Sequence, residues 1–428
     1  MGERPRRADL VLLGAVVILL ILGAEMVYSA SFIVAHNEFN DDLYFLMRQG
    51  MWMVGGVICM GLVARSDYHH WRRFSLIGMA LAIISLIVVL VPGIGVINYG
   101  AQRWIALPGP LPPVQPSEFA KLALVLYMSD WLARKGKRVG EFTYGAVPFV
   151  IVLGGVAGLV MLEPDLGTTI IIMATAISLF FVAGANLLHF LFGLVVAVMG
   201  ALWFVFTAAY RMERVAAFLD PWKDSQGTGW HTIQTLIALG SGGITGLGLG
   251  ASRQKAYYVP NAHTDAIFAI IGEELGLLGT LAVLALFGIV AWRGLLAAAR
   301  ATDTFGRLLA TGATCMIMWQ AVINIAVTTN TVPYTGVTLP FVSFGGSSML
   351  VKLIAAGVIL SVSRGLPPHA ISVAEPTPAP PKPERPTPAP RPASRPPLVR
   401  QPVSAFAPAG SQARRSRRQL KTRKSWRG

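Results

Sequence analysis

The feature that most constrains this chain is the length of its apolar blocks. Residues 10–30 carry one charged side chain, Glu25, in an otherwise apolar or small run. Such a block shows neither the polar–apolar alternation of a half-buried strand nor the stripe of an amphipathic helix. It matches a bilayer core, which takes roughly 20 apolar residues to cross as a helix. Inside lipid every backbone N–H and C=O must be paired within the protein, so a helix is the expected solution. The alternation of a membrane barrel strand is missing. Comparable blocks follow at 45–64, 74–92, 116–134, 144–162, 166–185, 187–209, 265–292, 308–329 and 342–363. The chain is thus predicted to be an all-α polytopic membrane protein of about ten spans. Composition agrees: 54% of residues are apolar and 13% charged, where an ordinary soluble domain is about 25% charged.

Basic residues in short loops set the orientation. Arg4, Arg6 and Arg7 precede the first span, Arg65, Arg72 and Arg73 follow the second, Arg134, Lys135, Lys137 and Arg138 the fourth, and Arg293, Arg300 and Arg307 the eighth. With each block spanning once, all of these fall on one side, the cytoplasm, and both termini lie there too. The first span is long and has no small-residue cleavage site, so it reads as retained and not as a signal peptide. The domain plan is a cytoplasmic amino terminus (1–9), a membrane domain (10–365) and a tail (366–428). The outer loops are 93–115, 162–165, 210–264 and 330–341. Within the longest, residues 230–240 read as a short interfacial helix ending at Gly240. The tail is rich in Pro, Ala and Arg and is expected to be disordered. Its end, from Arg414 to Arg427, is strongly basic, and the net charge of +15 owes much to it. Attraction to anionic inner-leaflet lipid accounts for that charge more simply than nucleic acid does. Cys59 and Cys315 both lie in apolar blocks and read as packing residues. No Cys/His cluster has zinc spacing, and no organic cofactor is implied.

Ionisable groups in or beside spans are costly and default to function. Four clusters stand out, all near the outer ends. The first is Gly100-Ala101-Gln102-Arg103-Trp104-Ile105 with Gln115-Pro116-Ser117-Glu118-Phe119-Ala120-Lys121. Pro116 suits a helix start, and Glu118 and Lys121, three apart, share a face. They read either as a self-neutralising pair or, with Arg103, as an anion site. The second is Glu163-Pro164-Asp165-Leu166-Gly167-Thr168, where capping explains Asp165 but leaves Glu163 unexplained. The third is His263-Thr264-Asp265, followed by Glu273 and Glu274 two turns deeper. Asp265 is either a helix cap or a general base whose pKa nearby carboxylates would raise. The fourth, Leu339-Pro340-Phe341-Val342-Ser343-Phe344-Gly345-Gly346-Ser347-Ser348, either offers backbone N–H groups to an anion or permits close helix packing. The glycine run from Ser241 to Gly250 has no preceding strand and no closing Lys-Ser/Thr, so it reads as a flexible turn and not a nucleotide loop.

Taken together, G-A-Q-R-W-I, Q-P-S-E-F-A-K, P-D-L-G-T, A-H-T-D-A-I-F-A-I-I-G-E-E-L-G and L-P-F-V-S-F-G-G-S-S, in this order, closely resemble the SEDS family of bacterial peptidoglycan polymerases over roughly residues 8–365. The stretch Gly246–Lys255 is more similar to the cell-division members than to the elongation members. The resemblance implies a ten-span glycosyltransferase that uses lipid II and the growing glycan chain on the outer face of the cytoplasmic membrane. Septal synthesis is the implied setting. The partners implied are a class B penicillin-binding protein, a transpeptidase, and other division proteins. It places the family's essential aspartate at Asp265 and its conserved glutamate and lysine at Glu118 and Lys121. Arg103 and Lys121 would meet the pyrophosphate, with His263, Ser343 and Ser347 as further substrate contacts. Glu163, Asp165, Glu273 and Glu274 would support them. A divalent cation, magnesium or manganese, could bridge Asp265 and the pyrophosphate, although one carboxylate is a thin donor set. The sequence departs from the family pattern at Asn261, Ala266, Glu163 and Val332-Pro333-Tyr334-Thr335-Gly336, which blurs the division-versus-elongation assignment. The alternatives are a lipid II flippase and a non-catalytic division scaffold.

Overall fold

A computed structural model of the chain describes residues 8–98, 101–106, 113–186, 209–256 and 258–365, and scattered positions between 187 and 208. The helices are α1 (Leu10–Phe39), α2 (Tyr44–Arg65), α3 (Ser75–Val89), α4 (Pro116–Lys135), α5 (Val147–Leu162), α6 (Leu166–Val182), α7 (Ala209–Leu219), α8 (Trp230–Ser241), α9 (Ile267–Ala299), α10 (Thr304–Thr328) and α11 (Gly346–Ser363). Among the described residues, seven helical stretches are long and apolar enough to cross a membrane: α1, α2, Tyr68–Val89, Phe142–Leu162, α9, α10 and α11. These coincide with seven of the predicted spans. The shorter apolar α6 and the charged α4 fall on two more. The predicted seventh span, 187–209, lies almost wholly outside the described residues, and so does the tail from 366.

Helix starts follow from local chemistry. Asp9, Asp165 and Asp303 each accept backbone N–H groups from the first turn of α1, α6 and α10, satisfying donors that have no partner within the helix. Pro116 opens α4, where its missing N–H costs nothing. α4 is the least apolar span, and Glu118, Lys121 and Asp130 are all buried within the bundle. One apolar core joins α1, α9, α10 and α11, and a second joins α3 to α6. Gly23 of α1 admits a reentrant turn: a Cβ there would sit 2.6 Å from the Phe341 carbonyl oxygen. Any side chain at that position would therefore push the 339–345 segment away from α1.

Two features depart from the sequence expectation. The loop 93–115 contains an antiparallel hairpin, β1 (Gly95–Asn98) with β2 (Ala101–Ile105). Val96, Ile97, Trp104 and Ile105 are residue types that fit a pleated surface. The glycine run is also not a flexible turn. α9 is interrupted at Gly276, with φ 68° and ψ −163°, a conformation nearly reserved for glycine. Residues 243–248 fill the interruption. Leu247 N and Gly248 N donate to the carbonyls of Glu273 and Glu274, while Leu277 N and Leu278 N donate to those of Gly243 and Ile244. The loop thus supplies main-chain hydrogen bonds that the broken helix cannot make internally, as buried backbone requires. The expected helix in the long outer loop is observed as α8.

Candidate active site

The amino-terminal ends of α4, α6, α9 and α11 converge. The Gln115 backbone N–H donates to Ser347 Oγ at 3.3 Å and its side chain to Asp165 Oδ2 at 3.0 Å. Phe344 N donates to the His263 carbonyl at 2.9 Å. Helix amino termini carry partial positive charge and free N–H groups, so their meeting point favours an anion.

Asp265 stands at this junction, just ahead of α9, and is 6% exposed. Thr264 Oγ1 donates to its Oδ1 at 3.1 Å and the Tyr334 hydroxyl donates to its Oδ2. Its position is fixed from α10: Asn324 Nδ2 donates to the Asp265 carbonyl and to the Val337 carbonyl, each at 2.7 Å. One side chain therefore ties together the segments that carry Asp265 and Tyr334.

One turn further along α10, Gln320 reaches a buried charge cluster. Glu118 holds one lysine on each oxygen: Lys121 at 2.8 Å on Oε1 and Lys352 at 2.6 Å on Oε2. Gln320 accepts from Lys121 at 2.9 Å and donates to the Thr338 carbonyl and Ser348 Oγ. The pairing of Glu118 with Lys121 is as expected. Lys352, Gln320, Asn324 and Tyr334 were not anticipated. Lys352 is an ionisable residue inside an apolar span, and that signal alone would have found it. Gln320 and Asn324, four apart, place two amides on one face of α10. Tyr334 carried no signal, because its role depends on a loop conformation.

The other predicted residues distribute as follows. Arg103 donates to the Glu163 carbonyl at 2.9 Å and to the Pro164 carbonyl. Those acceptors are neutral, so its charge is kept. Asp165 is the expected cap, with Oδ1 accepting from Thr168 N at 3.0 Å. Glu163 is fully buried, with no hydrogen-bond partner for either carboxylate oxygen among the described residues. Burial, and then the charge of Asp165, push its pKa up to about 8 against the opposing pull of Arg103.

One expectation needs correcting, and His263, Ser343 and Ser347 are seen in contacts within the protein. Glu273 and Glu274 do not support Asp265. Glu273 accepts from Ser252 Oγ and Arg253 N, while Glu274 accepts from Ser29, Gly250 N and Lys255. They anchor the loop that fills the α9 break. The His263 ring packs between Phe45 at 4.4 Å and Phe344 at 5.7 Å, and burial lowers its pKa to about 4, leaving it neutral. Ser343 closes the reentrant turn through Leu339 N at 2.7 Å. Ser347 serves as the acceptor for Gln115 N.

The donor set around Asp265 does not fit a resident metal. It offers one carboxylate with a hydroxyl already on each oxygen, and among the described residues no three Asp, Glu, His or Cys side chains gather as ligands. The arrangement is a single buried carboxylate beside a convergence of anion-favouring helix ends.

A family model described as cell cycle protein, covering FtsW, RodA and SpoVE, matches residues 10–366. The stage V sporulation protein E of Bacillus subtilis (strain 168) is 42% identical over 364 residues, covering 85% of this chain and 99% of that protein. A probable peptidoglycan glycosyltransferase FtsW of Trichlorobacter lovleyi is 42% identical over 358 residues, 84% of this chain and 93% of its own length. Among solved structures, a chain from a peptidoglycan synthase complex that coordinates polymerization and crosslinking superposes with TM-score 0.67 at 29% identity, covering 83% of this chain and 98% of that one. The rod shape determining protein RodA of Thermus thermophilus superposes with TM-score 0.61 at 25% identity, covering 83% and 97%.

Proposed function

The chain belongs to the cell cycle protein family of FtsW, RodA and SpoVE, the SEDS family its motifs resemble, and from that membership we propose that it polymerises lipid II into glycan strands. It is a multi-pass membrane protein and a peptidoglycan glycosyltransferase. In the proposed reaction the 4-hydroxyl of the acceptor GlcNAc attacks C1 of the lipid-linked MurNAc at the end of the growing chain. The hydroxyl proton passes to the Asp265 carboxylate as the new C–O bond forms. The bond from C1 to the pyrophosphate oxygen breaks, and undecaprenyl pyrophosphate leaves with the electron pair.

The observation that carries this reading is Asp265, a lone buried carboxylate whose oxygens meet only hydroxyl donors among the described contacts. A base needs to reach the proton it removes, and a hydroxyl is the group this site already accommodates. Stabilisation of the leaving pyrophosphate falls to the convergent helix ends and to Arg103, whose charge is uncompensated by its carbonyl partners. Lys121 shares the single charge of Glu118 with Lys352. An apolar groove of about 480 Å³ starts by Val114 and Pro116 and continues past Phe119, Ala82 and Ile354 to Val63. It suits a prenyl tail entering from the lipid. No step is assigned to a metal ion.

Transport of lipid II across the membrane is less well supported, since it would need a polar path through the bundle. Below Lys121, α4 buries Leu124, Val125 and Met128 before the next charge, Asp130, which is bound by Arg72 and Arg134. For the setting, the reading is an outward-facing site, both termini in the cytoplasm, and action at the division septum beside a class B penicillin-binding protein. The basic end of the tail would hold anionic lipid.

The test is polymerisation of lipid II by the purified protein with its transpeptidase partner. Asp265→Asn is expected to lower the rate by about 10²-fold or more, the usual worth of a positioned base, with an unchanged unfolding temperature. Polymerisation by Asp265→Asn at the wild-type rate would remove Asp265 from the mechanism.

A further inference from the structure

Both oxygens of the candidate base already lie beside a hydroxyl. Thr264 Oγ1 lies on Oδ1 at 3.1 Å and the Tyr334 hydroxyl on Oδ2. Each carboxylate oxygen accepts about two hydrogen bonds, so a substrate hydroxyl that reaches Oδ2 competes with Tyr334 for the carboxylate. Thr264 precedes Asp265 in the chain, and its hydroxyl is also 3.0 Å from the Asn261 carbonyl. Tyr334 reaches Asp265 from a separate segment and can leave without disturbing α9.

The backbone on either side of the contact is fixed, because Asn324 binds the carbonyls of both Asp265 and Val337. The side chain of Tyr334 is therefore the part able to move. It is held from the long outer loop: the His231 ring of α8 lies 4.3 Å from its ring centre, and the Arg214 guanidinium of α7 lies over the ring at 5.4 Å. Beside the bond there is open space. A Cβ built on Gly336 would have two neighbours within 4 Å, Asp265 Oδ2 and the Tyr334 hydroxyl, both at 3.8 Å. A group the size of a hydroxyl-bearing carbon can approach Oδ2 from that side.

We propose that Tyr334 stands in for the acceptor: its hydroxyl competes for the hydrogen-bonding position on Asp265 Oδ2 that the acceptor sugar hydroxyl uses, and the two exchange through the space beside Gly336. Tyr334 is a positioning residue and sets acceptor affinity. The exchange moves no net proton; one donor replaces another, and the proton is transferred only once the acceptor is bound. Burial and the charge of Asp265 hold the Tyr334 pKa well above its usual value, so it remains a donor at working pH. The proposal rests on Asp265 being the base.

The experiment couples a lipid-linked donor, its own 4-hydroxyl blocked, to lipid II as acceptor, using the full chain with its transpeptidase partner. Tyr334→Phe is expected to lower the acceptor KM by about tenfold, the worth of removing one competing hydrogen bond to a charged group, with kcat within twofold. A second readout does not depend on turnover: Asp265 should react faster with a water-soluble carbodiimide in Tyr334→Phe than in the wild type, located by peptide mass. An unchanged or raised acceptor KM, or a tenfold fall in kcat at constant KM, overturns the proposal, and so does an unchanged labelling rate. Asp265→Asn run in parallel separates the two claims. If that variant polymerises normally the base assignment fails, whereas the labelling rate still reports whether Tyr334 covers the carboxylate.

Discussion

At the scale of single residues, the cluster of Glu118, Lys121 and Lys352 has an unequal balance. Two lysines share one carboxylate, and all three groups are buried. Removing one partner of a buried ion pair leaves an uncompensated charge and costs about 3–5 kcal/mol. Glu118→Gln leaves two ammonium groups facing one another and is expected to lose at least that much stability. Lys352→Met leaves the neutral Glu118–Lys121 pair and is expected to be near-neutral or stabilising. Thermal unfolding of the two variants in the same detergent gives the comparison. The contrast also marks how far side chains were legible beforehand. Glu118 and Lys121 lie three apart on one helix, so their contact follows from helical geometry. The contact between Glu118 and Lys352 spans 234 positions, and only the packing of α4 against α11 creates it. Tyr334 is further from reach, since a tyrosine in an outer loop announces nothing until the loop is folded over Asp265.

At the scale of elements, periodicity and block length placed the long helices well, because a membrane imposes length and apolarity on each one separately. Features that depend on two elements at once were hidden. The break in α9 is one. Gly276 sits in the G-E-E-L-G stretch, and its neighbours suit an unbroken helix. The segment that completes the break lies about 30 residues earlier in the chain, in a glycine run that composition alone describes as loose. Proximity in sequence points Glu273 and Glu274 toward Asp265, yet they turn to residues 250–255 and Ser29. Gly276→Ala tests this account. Its Cβ would lie 2.3 Å from Gly246 N, at a φ of 68°. Strain at such a position costs about 1–3 kcal/mol before any clash is counted. A loss of about 3 kcal/mol or more is expected, together with faster amide exchange at Leu247 and Gly248. An unfolding temperature and exchange pattern equal to those of the wild type would contradict the role given to the inserted loop.

At the scale of the whole molecule, stability should carry a pH signature from Glu163. Its pKa, about 8 in the fold, lies above the ordinary 4.5, so the folded state binds a proton that the unfolded state has released. That contribution is complete below pH 4.5 and is lost as pH rises through about 8. The unfolding temperature is therefore expected to fall between pH 5 and pH 8, and Glu163→Gln should flatten that fall and raise stability at the alkaline end. A slope unchanged by the substitution would show that Glu163 is not its source. The interruption at Gly276 has a mechanical consequence on the same scale. A continuous 33-residue helix would behave as a rod, so a twist at its basic end would reach Asp265. Jointed near its amino-terminal third, it becomes one short and one long lever meeting at Gly276. The lever that carries Asp265 is tied at the joint to residues 243–248, so a shift of that loop reaches it directly.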